Sequence, residues 1–344
     1  MGLILIASEE FTLHQPPPGH PERPERGEVM DALAARWRQA GEEVVSPRAA
    51  TNQHLGRVHD LGYIRRIDET AGLAVALDPD TFTSPDTSEA ARLAAGAVVD
   101  AVERVWGGRH ARALALVRPP GHHAERHRAM GFCFFNNVAV GAAHARALGA
   151  ERVAIIDYDV HHGNGTQHIF EDDPAVLYVS LHQAPFYPGT GDAEEIGLGP
   201  GRGFTVNLPL AVGAVDEDYR VAFAEVVGPV VGQFGPDLIM ISAGFDAHER
   251  DPLGGMRLSA PAFGAMTAEL CSIADDCCGG RVVAVTEGGY DLAALADSLD
   301  CVVDGLAGPP GRGAVWPAAG AIAPSRGRAA VLATSAALGR LWPI

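Results

Sequence analysis

Positive charge is scarce in this sequence. Lysine is absent, so all 26 basic residues among 344 are arginine, against 43 acidic residues and a formal net charge of −17. The missing lysine reads as compositional bias, not mechanism. The acidic balance disfavours nucleic acid and anionic lipid as partners and tolerates cationic ligands. Cysteine is sparse too. Cys133, Cys271, Cys277, Cys278 and Cys301 are odd in number and form no Cys-x-x-Cys. That excludes a disulfide framework and a thiolate zinc site, and it fits a reducing compartment. No apolar run approaches the ~20 residues that span a bilayer. The apolar start, Gly2 to Ala7, has no basic flank and soon meets Glu9 and Glu10, so it reads as a strand, not a signal peptide. A cytoplasmic, non-membrane protein is expected. What remains is ordinary globular composition, 47% hydrophobic and 20% charged, with ample material for a large core.

Short aliphatic runs alternate with helix-like stretches. Leu3–Ala7, Ala113–Val117, Val153–Ile156, Val176–Val179, Leu238–Ile241 and Val282–Val285 read as buried parallel strands. Helices are expected near 29–40, 88–105, 137–148, 216–234, 261–278 and 292–303. The alternation predicts an α/β fold, a central and mostly parallel sheet with helices on both faces. With no internal repeat or long linker, residues 1–344 read as one domain. Its core covers about 1–306, and 307–344 form a Gly-, Ala- and Pro-rich tail ending in a short helix.

Ionisable residues gather after four of the strands: Arg118 to His123, Asp157 to Asn164, Ser242 to Asp246, and Thr286 to Tyr290. In a parallel sheet those ends share one edge, where ligands bind. Asp159 and His161 stand two apart and point to one side. With Asp246 from another strand end they make a three-ligand set with an open position, suited to zinc, iron(II), cobalt(II) or manganese(II). Imidazoles at His122 and His123 can take and return a proton near neutrality. Asp157 and Asn164 are available to orient them. Gly288-Gly289 lets the chain approach a substrate closely and place the Tyr290 phenol to donate to an oxyanion.

The stretches RPPGHHAE (118–125), GFCFFNNVAV (131–140), DVHHGNGTQHIFEDDPAVLYVSLH (159–182), SAGFDA (242–247), DPLGG (251–255) and EGGY (287–290) resemble the zinc-dependent histone deacetylase superfamily. They are most similar to its class II branch, with the bacterial deacetylase-like amidohydrolases and acetylpolyamine amidohydrolases. The resemblance implies a single arginase-like α/β domain. It implies Asp159, His161 and Asp246 as ligands of Zn2+, with Fe2+ or Co2+ as alternatives. It implies His123 with Asn164 as general base and acid, His122 with Asp157 as electrostatic partner, and Tyr290 as the group that polarises the carbonyl. Gly131 would face the leaving amine. Phe132 and Tyr187 would wall a narrow tunnel, with Leu253 at its rim and Gly289 beside the substrate. Asp80 would accept from the substrate backbone. Structural potassium would sit at Asp157, Asp159, His161, Ser180 and Leu181, and a second ion at Phe170, Asp173, Val176 and Phe204.

The activity so implied is removal of an acyl group from the lysine ε-amine of a protein or peptide. Deacetylation of a polyamine or another small amide is the alternative. An acidic group at the rim would favour a polyamine, and Leu253 is not acidic. Tyr187 stands where the class II enzymes more often have Phe. A catalytically silent acyl-binding module is opposed by the intact ligand and proton-transfer residues. A binuclear manganese ureohydrolase should add a second aspartate after the Leu238–Ile241 run, where only Asp246 stands. A homo-oligomer is compatible with the sequence.

Overall fold

The computed structural model describes residues 2–309, 311, 313–318, 320, 322–339 and 341–344. Positions 310, 312, 319, 321 and 340 of the expected tail lie outside the described residues. Eight strands form one sheet: β1 (Leu3–Ile6), β2 (Val44–Val45), β3 (Arg112–Ala115), β4 (Val153–Asp157), β5 (Val176–Gln183), β6 (Thr205–Leu210), β7 (Leu238–Ala243) and β8 (Val282–Thr286). Their order is β2-β1-β3-β8-β7-β4-β5-β6, and every pairing is parallel. The expected mostly parallel sheet is therefore wholly parallel among the described residues.

The helices are α1 (Glu25–Gln39), α2 (Asn52–Leu55), α3 (Leu61–Asp68), α4 (Thr87–Trp106), α5 (Asn137–Ala147), α6 (Asn164–Phe170), α7 (Asp216–Ala222), α8 (Gly228–Phe234), α9 (Ala260–Cys278), α10 (Leu292–Ala307) and α11 (Ser325–Leu338). The period of two along each strand sorts the apolar residues onto two faces. Leu5, Leu114, Ile156, Val179 and Ile241 pack with α1 and α7 to α11. Ile4, Ala113, Ile155, Tyr178 and Met240 pack with α2 to α6. Each fully buried aliphatic side chain contributes about 1.5–3 kcal/mol of transfer free energy, so both faces resist opening and the strand ends are held firmly.

Three departures have physical causes. β6 escapes an apolar-run search because Asn207 and Pro209 interrupt it; as an edge strand it tolerates a proline. β5 runs on through Ser180 and His182, whose Oγ and Nδ1 meet at 2.9 Å, so polar residues stay buried. The expected helix over 216–234 is divided by a π turn at Phe223–Val227, next to Gly228 and Pro229. Proline has no N–H to continue the ladder, and the preceding turn widens. The last helix has 14 residues and packs on α7 and β6.

Candidate active site

β3, β8, β7 and β4 are consecutive in the sheet, and the segments leaving their carboxyl ends meet above its middle. Asp159 and His161 leave β4, and Asp246 leaves the adjacent β7. His161 Nδ1 lies 3.1 Å from both Asp159 Oδ1 and Asp246 Oδ2. The far oxygens are anchored by backbone amides: Gly288 N–H donates to Asp159 Oδ2 (2.9 Å) and Val160 N–H to Asp246 Oδ1 (2.8 Å). The amides aim both carboxylates at the imidazole.

These three residues are the one group of His, Cys, Asp and Glu among the described residues whose donor atoms converge as metal ligands do. A β-carbon on Gly288 would stand 2.1 Å from Asp246 Oδ2, so only glycine permits the approach. Burial, and then the neighbouring Asp159 charge, push Asp246 up to about 7 against the opposing pull of His161. Burial also opposes the charge on Asp159, yet His122 and His161 hold its carboxyl well below the usual range. Two buried carboxylates turned toward one nitrogen is an arrangement a divalent cation relieves, and the oxygen and nitrogen donors fit such an ion.

The two histidines after β3 differ sharply. Burial opposes the charge on His122, but the Asp159 and Asp157 carboxylates outweigh it and push the imidazole up to about 10. Its Nδ1–H donates to Asp157 Oδ2 at 3.0 Å. His123 is driven well below its ordinary value by burial, and then by the charges of His122 and His161. Its Nδ1 meets Asn164 Oδ1 at 2.8 Å. Neighbouring rings 4.0 Å apart thus carry opposite tendencies, one cationic and one neutral, the separation that acid–base work requires.

A cavity of about 200 Å³ opens over this floor, lined by Asp80, His123, Gly131, Phe132, His161, Phe186, Tyr187, Leu253 and Tyr290. Phe132 meets the Tyr290 ring edge-on at 5.8 Å, and Tyr187 meets His123 edge-on at 5.2 Å. Phe132 holds a left-handed φ of 69°, a conformation costing a non-glycine residue about 1–3 kcal/mol. Its N–H donates to Thr81 Oγ1 at 3.1 Å. Gly131 lies so close to His123 that a β-carbon would stand 2.4 Å from the ring.

The structure therefore gathers His123, Tyr290, His161, Gly131, Phe132, Tyr187, Leu253 and Asp80 around one cavity. Gly289 is not among the lining residues; its carbonyl accepts from Arg26 Nε at 2.6 Å. Asp157 and Ser180 are register partners on β4 and β5, with Leu181 following. Phe170, Asp173 and Val176 lie along the turn from α6 to β5, and the Phe204 carbonyl accepts from Tyr178 N–H at 2.8 Å.

Several site residues escape the sequence reading. Phe186 stacks on His161 at 5.2 Å and 16°; the aromatic pair between Pro185 and Pro188 was its signal. Glu287 accepts from the Gly121 and His122 amides and from Ser242 Oγ, tying three strand ends together. Burial pushes its carboxyl up to about 7 despite the His122 charge. Asp251 accepts from the amides of Leu253, Tyr290 and Asp291. Arg26 donates to the Glu287 and Gly289 carbonyls and to Glu22, which also binds Arg118. The doubled Pro-Glu-Arg at 21–26 was the visible sign of that network.

Comparison with known proteins gives concordant results. A family model described as the histone deacetylase domain matches residues 20–306. Histone deacetylase 15 of Arabidopsis thaliana is 43% identical over 314 residues, 88% of this chain and 55% of that protein. A probable deacetylase of Archaeoglobus fulgidus is 40% identical over 84% of this chain and 81% of its own length. The polyamine deacetylase HDAC10 of Homo sapiens is 43% identical over 90% of this chain and 49% of its own. The chain thus spans about half the length of the plant and human relatives. The crystal structure of the HDA15 HD domain superposes with a TM-score of 0.89 at 39% identity, covering 99% of this chain and 95% of that one.

Proposed function

This chain belongs to the histone deacetylase family, and from that membership we propose that it hydrolyses the amide of an acyl-lysine side chain in a protein or peptide. The supporting observation is the cavity of about 200 Å³ that brings His123, His161 and Tyr290 together with the aromatic rings of Phe132, Phe186 and Tyr187 and with apolar Leu253. Phe132, Phe186 and Tyr187 provide apolar walls that suit the tetramethylene arm of lysine.

Asp159, His161 and Asp246 would hold the metal, with zinc the family ion and iron or cobalt as alternatives. When bound, the ion supplies Lewis acidity toward the carbonyl and lowers the pKa of water. The chain's own groups do the rest. His123 is neutral and carries its hydrogen on Nδ1, so Nε2 accepts the proton of the attacking water and later returns it to the leaving amine. The Tyr290 hydroxyl, whose pKa burial raises well above its usual value, stays protonated and donates to the carbonyl oxygen as it gains charge. Cationic His122 adds a fixed positive charge beneath the site. Gly131, through its backbone, faces the amine, and Asp80 accepts from the substrate backbone. Main-chain oxygens at the two potassium sites would brace the floor.

A second reading has one observation of its own: a 43% identical relative is named a polyamine deacetylase. Asp78 and Asp80 beside the cavity would serve a cationic polyamine. The whole chain is taken as one catalytic domain. A reducing, cytoplasmic setting is supported by five free cysteines. No helix among the described residues is long and apolar enough to cross a membrane.

Hydrolysis of an acetyl-lysine peptide and an acetylated polyamine by zinc-loaded protein, each with and without chelator, tests both readings. Faster turnover of the peptide supports the first, and faster turnover of the polyamine replaces it with the second. Activity indifferent to chelator overturns the metal chemistry common to both.

A further inference from the structure

The assignment of His123 as a base depends on which of its nitrogens carries the hydrogen. Asn164 Oδ1, 2.8 Å from Nδ1, can only accept, so Nδ1 is protonated and Nε2 keeps its lone pair. A primary amide has the same shape at both ends, however. Turned over, Asn164 would present NH2 to the ring. Nδ1 would then have to accept, the hydrogen would sit on Nε2, and His123 would have no lone pair toward the cavity.

Glu125 opposes that inversion. Its Oε1 accepts from Asn164 Nδ2 at 2.6 Å. An ionised carboxylate has no donor, so inversion would set the amide oxygen against it at this distance. The repulsion is strong because both groups are buried: the Asn164 residue is 2% exposed and Glu125 9%. The same oxygen accepts from His168 Nδ1 at 2.8 Å. The Glu125 backbone is fixed at both ends, its N–H donating to the Arg128 carbonyl and its carbonyl accepting from His59 Nδ1.

We propose that Glu125 is a positioning residue that sets the tautomer of His123 by fixing the orientation of the Asn164 amide. Glu125, Asn164 and His123 then act as a single relay of fixed polarity. The proposal rests on the reading of His123 as the general base.

The test uses full-length, zinc-loaded protein with 15N-labelled histidine. The His123 signals are identified by their loss in His123→Gln. The expected wild-type pattern is a protonated Nδ1 and an unprotonated Nε2. Glu125→Ala, and to a lesser degree the isosteric Glu125→Gln, shift the population toward protonated Nε2. In Glu125→Ala kcat falls on the order of tenfold, the scale of one charge-assisted hydrogen bond, with KM changed by less than about twofold. The double variant Glu125→Gln with Asn164→Asp rebuilds the polarity, because aspartate only accepts and glutamine can donate to it; tautomer and most of kcat return. Unchanged His123 signals in both Glu125 variants overturn the proposal whatever their activity, and so does a double variant no closer to wild type than Glu125→Gln. A tautomer shift with undiminished kcat overturns the base assignment and leaves the positioning role standing.

Discussion

The Arg26 guanidinium lies 5.0 Å over the Tyr290 ring while donating to the carbonyls of Gly289 and Glu287 on either side of Gly288. One planar cation therefore braces the loop that presents the phenol. Arg26→Lys keeps a charge for Glu22 but cannot stack and span two carbonyls together. Its kcat should fall about tenfold, with KM and zinc content little changed. Steady-state kinetics beside metal analysis would show it, and an unchanged kcat would remove Arg26 from the placement of Tyr290.

Tyr290→Phe deletes only the hydroxyl. If that hydroxyl donates to the developing oxyanion, kcat should drop by about 10²–10³, as for loss of one oxyanion donor. Zinc stoichiometry and thermal midpoint should stay near those of the parent. A rate within a few-fold of wild type would end the assignment.

His161→Ala and Asp246→Asn each remove one of three converging donors. Both should fail to retain stoichiometric zinc through dialysis, as measured by atomic emission. Full retention in either would show that the ion is held elsewhere.

Leu253→Glu sets a carboxylate at the cavity mouth. It should raise kcat/KM for an acetylated polyamine relative to an acetyl-lysine peptide by about tenfold, the scale of one partly screened ion pair. A ratio that does not move would mean that selectivity is set elsewhere on the rim.

His59 and His182 give the fold an acid limit. Burial holds each near 4, against an ordinary 6.5. Both are neutral, with one nitrogen donating to a backbone carbonyl and the other accepting: His59 from the Asn136 amide, His182 from Ser180 Oγ. Between pH 4 and 6.5 these two sites bind more protons in the unfolded chain than in the folded one. Their contribution is whole above pH 6.5, shrinks as pH falls toward 4, and is constant below. Each adds a slope of up to about 1.4 kcal/mol per pH unit. Urea midpoints across this range should fall with acidity, and His59→Gln should reduce the slope. Because buried Asp246 and Glu287, pushed up to about 7, act with the opposite sign, the comparison with His59→Gln decides: a slope that the substitution leaves unchanged would contradict the buried neutral state.

The convergence of Asp159, His161, Asp246, His123 and Tyr290 could be read from the sequence because each follows an apolar run, and parallel strands deliver their carboxyl ends to one edge. The interrupted strand β6 could not, since burial of Asn207 depends on neighbours, not on local pattern. Nor could Arg26 and Glu22. Glu22 precedes α1 and Arg26 stands in its first turn, where no periodicity marks their partners, and the carbonyls that Arg26 binds at 287 and 289 are over 260 residues away. Phe186 and Tyr187 were visible as a pair, but only the backbone path shows that Phe186 stacks on His161 while Tyr187 meets His123 edge-on.

The sheet order has a consequence for biosynthesis. Among the described residues β8 is the last strand, yet it lies between β3 and β7. Before it inserts, β2-β1-β3 and β7-β4-β5-β6 are separate ribbons, each with an open edge that invites mispairing. The histidine pair follows a strand of the first ribbon, and Asp159, His161 and Asp246 follow strands of the second. A ribosome-bound chain short of Thr286 thus holds His122, His123, Asp159, His161 and Asp246 on two separate ribbons, and still lacks Gly288 and Tyr290. Vectorial synthesis makes catalytic competence a late, all-or-none event, and the open edges are a period of exposure for which chaperones would compete.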